Sequence, residues 1–150
     1  MPKYTLLFLG LVCSFSTVAA QHSEMVARWN KPVEPFQLID NIYYVGTNEM
    51  TSYLIVGDEG HILIDGGFEE SAPLIEQNIK TLGFDIEDVE ILLNSHAHFD
   101  HAAGLAALKK ASGAKLYISK EDTDIMERGG KDDYLLGNSG LFPAVSVDRS

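Results

Sequence analysis

Between residues 36 and 64, short apolar runs alternate with turn residues, which is the pattern of strands joined by tight connections. Phe36–Ile39 and Ile42–Val45 are separated by Asp40-Asn41, and Thr51–Val56 and His61–Ile64 flank Gly57-Asp58-Glu59-Gly60. These runs predict an antiparallel meander. From residue 71 the spacing changes. Leu74, Ile75, Ile79 and Leu82 share one helical face, with Ser71 as cap, Pro73 in the first turn and Gly83 at the end, so residues 71–82 read as a helix. Asp85–Asp88 reads as a turn and Val89-Glu90-Ile91-Leu92-Leu93 as a buried strand. Ala102–Leu108 predicts a second helix, closing on Lys109 and Lys110 near its negative pole with Gly113 beyond. Lys115–Ser119 gives another strand, and Glu121–Arg128 a short helix stopped by Gly129-Gly130. From Lys131 the Asp, Gly, Asn and Pro content predicts a long irregular loop, and Val145–Ser150 begins a further strand. Strands first, then helix and strand in alternation, predict an α/β (α+β) chain with a mixed sheet and helices on one face.

The ends modify this picture. Lys3, the apolar run Leu6–Val12 and the small residues Val18-Ala19-Ala20 read as a secretory signal peptide over residues 1–20, too short in its apolar part to span a bilayer; an uncleaved anchor is the competing reading. Residues 21–35 are polar and carry Pro32 and Pro35, so they read as an arm. Trp29 within it either pins the arm to the body or borders a pocket. Cleavage after residue 20 removes Cys13, the single cysteine, and with it any disulfide or thiolate ligand. It also leaves ten basic against 22 acidic side chains, a formal charge of −12. That balance argues against nucleic acid, whose phosphates call for a basic surface. The mature chain, residues 21–150, is long enough for one domain with a core.

Three of the five histidines fall in Asn94-Ser95-His96-Ala97-His98-Phe99-Asp100-His101, at the turn between a strand and a helix. α/β proteins commonly place ligands at the carboxyl ends of their strands. In an extended segment side chains two apart point the same way, so His96 and His98 can reach one ion, with Asp100 and His101 facing a second. Imidazole and carboxylate are ordinary zinc ligands. The competing reading is an Asp100 that caps the helix beside unrelated histidines. Asp65, ahead of Gly66-Gly67, is either a turn residue or a hydrogen-bond support for a metal ligand. His61 reads as a surface or satisfied histidine, and His22 carries no functional reading.

The motif and its flanks resemble a known family. His96-Ala97-His98-Phe99-Asp100-His101 is similar to the signature of the metallo-β-lactamase superfamily. Asn41–Thr47, Thr51–Ile55, Gly60–Gly66, the Trp29–Phe36 arm and the Glu121…Gly129-Gly130…Asp133 stretch resemble its third, cysteine-free dizinc subclass, from about Val26 to Arg149. The resemblance implies the N-terminal half of an αββα sandwich and two Zn²⁺ ions per complete domain. It implies hydrolysis of the β-lactam ring of penicillins, cephalosporins and carbapenems in the periplasm, with no membrane attachment after signal cleavage. His96 and His98 would hold one zinc and Asp100 and His101 the second, with Asp100 also the catalytic residue that orients the attacking hydroxide. Asp65 would support a ligand, and Leu135, Leu136 and Phe142 would border the substrate.

One feature departs from that pattern. The family takes a further histidine for each zinc from later positions, and no histidine follows His101. Four of six expected ligands are therefore present. The chain is expected to be the N-terminal half of a longer reading frame, inactive or weakly active as it stands, with the sheet face of residues 36–119 lacking its covering layer. A secreted zinc lactonase or thioesterase-like hydrolase is the alternative enzyme, and a non-catalytic fragment the alternative of another kind. Ser112-Gly113-Ala114-Lys115 matches a Ser-x-x-Lys motif, but its companion Ser-Asp-Asn and Lys-Thr-Gly motifs are absent.

Overall fold

A computed structural model describes residues 23–150. The expected signal peptide and His22 lie outside the described residues. Six strands form one sheet in sequence order: β1 (Phe36–Ile39), β2 (Ile42–Tyr44), β3 (Tyr53–Ile55), β4 (His61–Ile64), β5 (Val89–Leu93) and β6 (Lys115–Tyr117). β1 to β4 pair antiparallel as the meander requires. β4–β5 and β5–β6 are parallel, so the sheet is mixed, and the parallel pairs follow from the crossovers that separate them. The helices are α1 (residues 23–29), α2 (Ala72–Thr81), α3 (Phe99–Ala102), α4 (Leu105–Ser112) and α5 (Thr123–Glu127).

The register explains the core. Leu54 pairs with Leu63, Leu63 with Leu92 and Leu92 with Leu116, giving a row of four leucines across four strands, all fully buried. Ile75 and Ile79 of α2 and Leu105 and Leu108 of α4 join them in one apolar cluster. Burying a leucine of this kind contributes roughly 1.5–3 kcal/mol. On the other face, Tyr53, Ile64, Leu93 and Tyr117 form a parallel row, each half-buried. That face is the one expected to be apolar and uncovered, and β1 is exposed throughout, with Leu38 and Ile39 more than half accessible.

Three local differences from the sequence reading have physical causes. Residues 23–29 form a helix where a polar arm was expected; α1 is amphipathic enough to half-bury Met25 and Val26, and the arm proper begins after it. The single helix expected after the histidines is two, α3 and α4, broken at Ala103-Gly104 because Gly104 abuts another backbone. The last segment is not a full strand: Arg149 makes one parallel bridge to Tyr117, and Ile118 N donates to Arg149 O at 3.1 Å. Among the described residues no helix is long and apolar enough to cross a membrane.

Candidate metal centre

Asp65 leaves β4 with φ 61°, a left-handed conformation that aspartate tolerates better than most residues. The turn holds it there. Asp65 N donates to Leu93 O at 2.9 Å, and Ser52 Oγ donates to Asp65 O at 2.6 Å. The following glycines permit a close backbone seam. A Cβ on Gly104 would lie 2.2 Å from Gly66 O, and one on Gly66 would lie 2.8 Å from Leu105 N. Gly66 N donates to His101 O at 2.8 Å across this seam. The end of β4 and the α3–α4 junction are therefore locked together, and the buried Asp65 carboxylate is aimed at the loop after β5.

That carboxylate accepts from Asn94 Nδ2 (2.9 Å) and Ser95 N (2.8 Å) on one oxygen, and from Ser95 Oγ (2.7 Å) and His101 Nδ1 (2.9 Å) on the other. Burial pushes the Asp65 pKa up, but the hydrogen bonds from His101 and Ser95 outweigh it, and the net shift is downward. The bond to Asp65 raises the His101 pKa against the opposing effect of burial. With Nδ1 donating to Asp65, Nε2 is the nitrogen left to meet a ligand or metal. Nε2 lies 3.7 Å from Asp100 Oδ2. The His96 pKa is lowered by burial and then by the neighbouring His101 and His98, so His96 favours the neutral form that a metal ligand needs.

One donor atom from each of His96, Asp100 and His101 lies within 4.8 Å of the others. Two imidazoles and a carboxylate at such separations fit a divalent transition metal, and the carboxylate behind His101 is the outer support such ligands commonly have. Asp100 lies in the first turn of α3 and is not its N-cap, which is His98. His98 is set differently. His98 itself is extended (φ −105°, ψ 152°), but the chain makes a tight turn over Ala97, where His98 N donates to His96 O at 3.0 Å. The His98 ring still lies edge-on to His96 at 4.8 Å, while its Nε2 faces Asp133 Oδ2 at 3.7 Å.

A cleft of about 240 Å³ opens beside Asp100 and His101, lined also by Trp29, Glu49, Met50 and Thr51. Trp29 does both things considered for it. It pins the arm, with Trp29 O accepting from Thr47 Oγ1 and Glu49 N and its ring stacked on Phe68, and it borders the cleft. Its indole Nε1 is buried without a partner, as is Asn94 Oδ1. Leu136 and Phe142 do not line this cleft. Leu136 packs over Gly140 beside Phe99, and Phe142 packs over Gly130 and onto the core. Neither Glu49 nor Met50 carries any pattern in the sequence that marks it as cleft-lining.

The remaining candidates are accounted for structurally. His61 is buried, with Nδ1 accepting from Gly57 N at 3.4 Å and its ring edge-on to Phe84. Ser112 Oγ donates to Leu108 O and accepts from Ala114 N at the end of α4, so the Ser-x-x-Lys serine is a helix-end residue.

A family model described as Metallo-beta-lactamase superfamily matches residues 47–149. The chain belongs to that superfamily. Several solved metallo-β-lactamases are similar to it. One from Cronobacter sakazakii with a HARLDQ motif is 46% identical over 78% of this chain and 47% of that one, with a TM-score of 0.77. FEZ-1 from Legionella gormanii is 44% identical over 80% and 47%, with a TM-score of 0.78. BJP-1, a subclass B3 metallo-β-lactamase of Bradyrhizobium japonicum, is 44% identical over 81% and 46%, with a TM-score of 0.75. This superfamily member thus spans about half the length of those structures, and 30–36% of the curated relatives it matches. Its own hexapeptide, His96-Ala97-His98-Phe99-Asp100-His101, shares the first, second and fifth letters of HARLDQ and has histidine at the third and sixth.

Proposed function

We propose that the domain, at the length its relatives have, is a zinc-dependent hydrolase that opens the β-lactam ring of penicillins, cephalosporins and carbapenems. The observation that carries this reading is the convergence of His96, Asp100 and His101 donor atoms within 4.8 Å on the turn after β5. It is supported by similarity to metallo-β-lactamases, one of them of subclass B3, over about four-fifths of the chain. In this reading His96 and His98 hold one Zn²⁺ and Asp100 and His101 a second, with two further donors from outside these 150 residues. Zinc bound there supplies Lewis acidity and makes hydroxide available near neutral pH.

The chain's own residues prepare that chemistry. Asp65 takes the Nδ1 proton of His101 in a hydrogen bond and so presents Nε2 as a lone-pair donor. Ser95 bridges Asp65, His96 and His101 through its hydroxyl, which keeps the two imidazoles together. Asp100 presents a carboxylate on the cleft wall, where it can accept a proton from an attacking water and hold that water in line. Trp29 and Met50 give the cleft apolar walls. Residues 1–20 direct export to the periplasm and residues 21–150 belong to the hydrolase domain, without nucleic-acid partners or membrane attachment after cleavage.

The test is turnover of a carbapenem and of an acyl-lactone by the zinc-loaded protein expressed from its whole reading frame. Carbapenem hydrolysis is the expected result. Lactone hydrolysis without carbapenem hydrolysis would replace the proposal with a lactonase.

A further inference from the structure

Glu49 lines the cleft beside Asp100 and His101 from a short turn that the fold holds in place. Thr47 N donates to Met50 O at 2.9 Å, which closes the turn. Glu49 N donates to Trp29 O at 3.0 Å and Asn48 N to Lys31 O at 2.9 Å, so the arm grips the turn from one side. Tyr44 Oη of β2 grips it from the sheet, donating to Thr47 O at 2.5 Å with Met50 O at 3.3 Å. The close approach calls for glycine at residue 46, where a Cβ would lie 2.2 Å from Met50 O. Thr47 and Met50 are buried by this packing, while Glu49 is exposed.

The carboxylates lining the cleft are Glu49 and Asp100, and no lysine or arginine lines it. Asp100 is committed to the metal in the function proposed above. Glu49 has no comparable partner: the lysine and arginine ion pairs among the described residues do not include it. Arg28 lies 5.8 Å over the Trp29 ring without lining the cleft. A carboxylate fixed beside the apolar walls of Trp29 and Met50 focuses its field on what enters. We propose that Glu49 is a specificity-determining residue that favours substrates carrying a cationic substituent, an ammonium or amidinium group, over uncharged ones. The inference rests on the β-lactamase reading of the same site. With the lactam ring at Asp100 and His101, a substituent that follows the wall of Trp29 and Met50 passes Glu49. Opposite unit charges about 6 Å apart at a hydrated surface shift an equilibrium about three- to tenfold.

The test compares two carbapenems, one whose side chain ends in an amine and one whose side chain is uncharged. The zinc-loaded protein expressed from its whole reading frame is assayed beside Glu49→Gln and Glu49→Lys. Both substitutions leave the backbone bonds of the turn in place. The ratio of kcat/KM for the amine over the uncharged compound is expected to fall about three- to tenfold in Glu49→Gln and further in Glu49→Lys, with the change carried by KM. The difference between wild type and variants should fade at about 1 M salt, which a merely structural role for Glu49 would not produce. A ratio that is the same in all three proteins would overturn the proposal while leaving the β-lactamase reading intact. If neither carbapenem is turned over, that reading fails, and calorimetric binding of the same two compounds to metal-free wild type and Glu49→Gln decides for Glu49. A preference for the amine that the variant loses would support its role, and equal binding ratios would overturn it.

Discussion

Replacing Asp65 with asparagine tests the support of the cluster most sharply, because the change is nearly isosteric and the left-handed backbone at residue 65 accepts asparagine as readily. The carboxylate accepts four hydrogen bonds. Asparagine keeps the two on Oδ1, from Asn94 and Ser95 N. It turns the other oxygen into an NH₂ that faces Ser95 Oγ and His101 Nδ1. The serine can rotate to accept, but His101 can accept only by moving its proton to Nε2. Bonds to a charged group contribute roughly 1.5–3 kcal/mol and neutral ones about 0.5–1.5, so two converted bonds lose about 2 kcal/mol. For a chain of this size that lowers the melting temperature by roughly 8 °C. Protonating Nε2 also removes the donor atom, and zinc affinity should fall about 10–100-fold. Asp65→Ala should cost more, about 4 kcal/mol or above, because all four donors lose their acceptor and alanine adds a left-handed penalty. The assay is thermal unfolding of the metal-free protein by circular dichroism, paired with competitive zinc titration. An asparagine variant that melts with the wild type and binds zinc as tightly would refute the role given to Asp65.

Other predictions follow from separate parts of the fold. Gly104→Ala places a Cβ 2.2 Å from Gly66 O and 2.8 Å from Phe68 O, contacts with backbone that cannot yield; it should cost about 1–3 kcal/mol or more, read as a lowered urea midpoint. Asp148 is held below the usual carboxylate pKa by its hydrogen bond from Lys109, at 2.5 Å, and then by Leu116 N, against the opposing effect of burial. A depressed folded-state pKa gives stability that is present above the unfolded value and lost as pH falls through the folded one. Asp148→Asn should therefore be less stable than the wild type at neutral pH and converge with it below about pH 4, in denaturant titrations at several pH values. The difference should shrink in high salt, since the pair is partly exposed.

Much of the framework was legible because local pattern and tertiary role agree. β1 and β4 fall within the bounds that the apolar runs set, and β5 comes from the run Val89–Leu93, interrupted only by Glu90, of which the sheet buries Val89 and Leu92. α2 takes its apolar face from Ile75 and Ile79 as the helical spacing requires. What sequence could not carry is long-range geometry. The split between α3 and α4 arises from a backbone seam with Gly66, 38 residues earlier. The tight turn over Ala97 interrupts the extended run expected to carry His96 and His98, and Asp133, which faces His98, is 35 residues downstream. Asp65 carries two open readings in the sequence, and its four hydrogen bonds show that it is at once a turn residue and the partner of His101. Glu49, Met50 and Thr51 reach the cleft only because the α1 arm folds back over them through Trp29 and Lys31.

The cluster on the turn after β5 is proposed to hold zinc for hydrolysis of a β-lactam. Its most direct test is carbapenem turnover by the protein expressed from its whole reading frame, stripped with a chelator and then titrated with zinc, beside an Asp100→Ala variant. Turnover is expected to vanish on stripping, to return with zinc in the wild type, and to stay at background in the variant. Turnover that survives chelation, or that the Asp100→Ala protein retains in full, would contradict it.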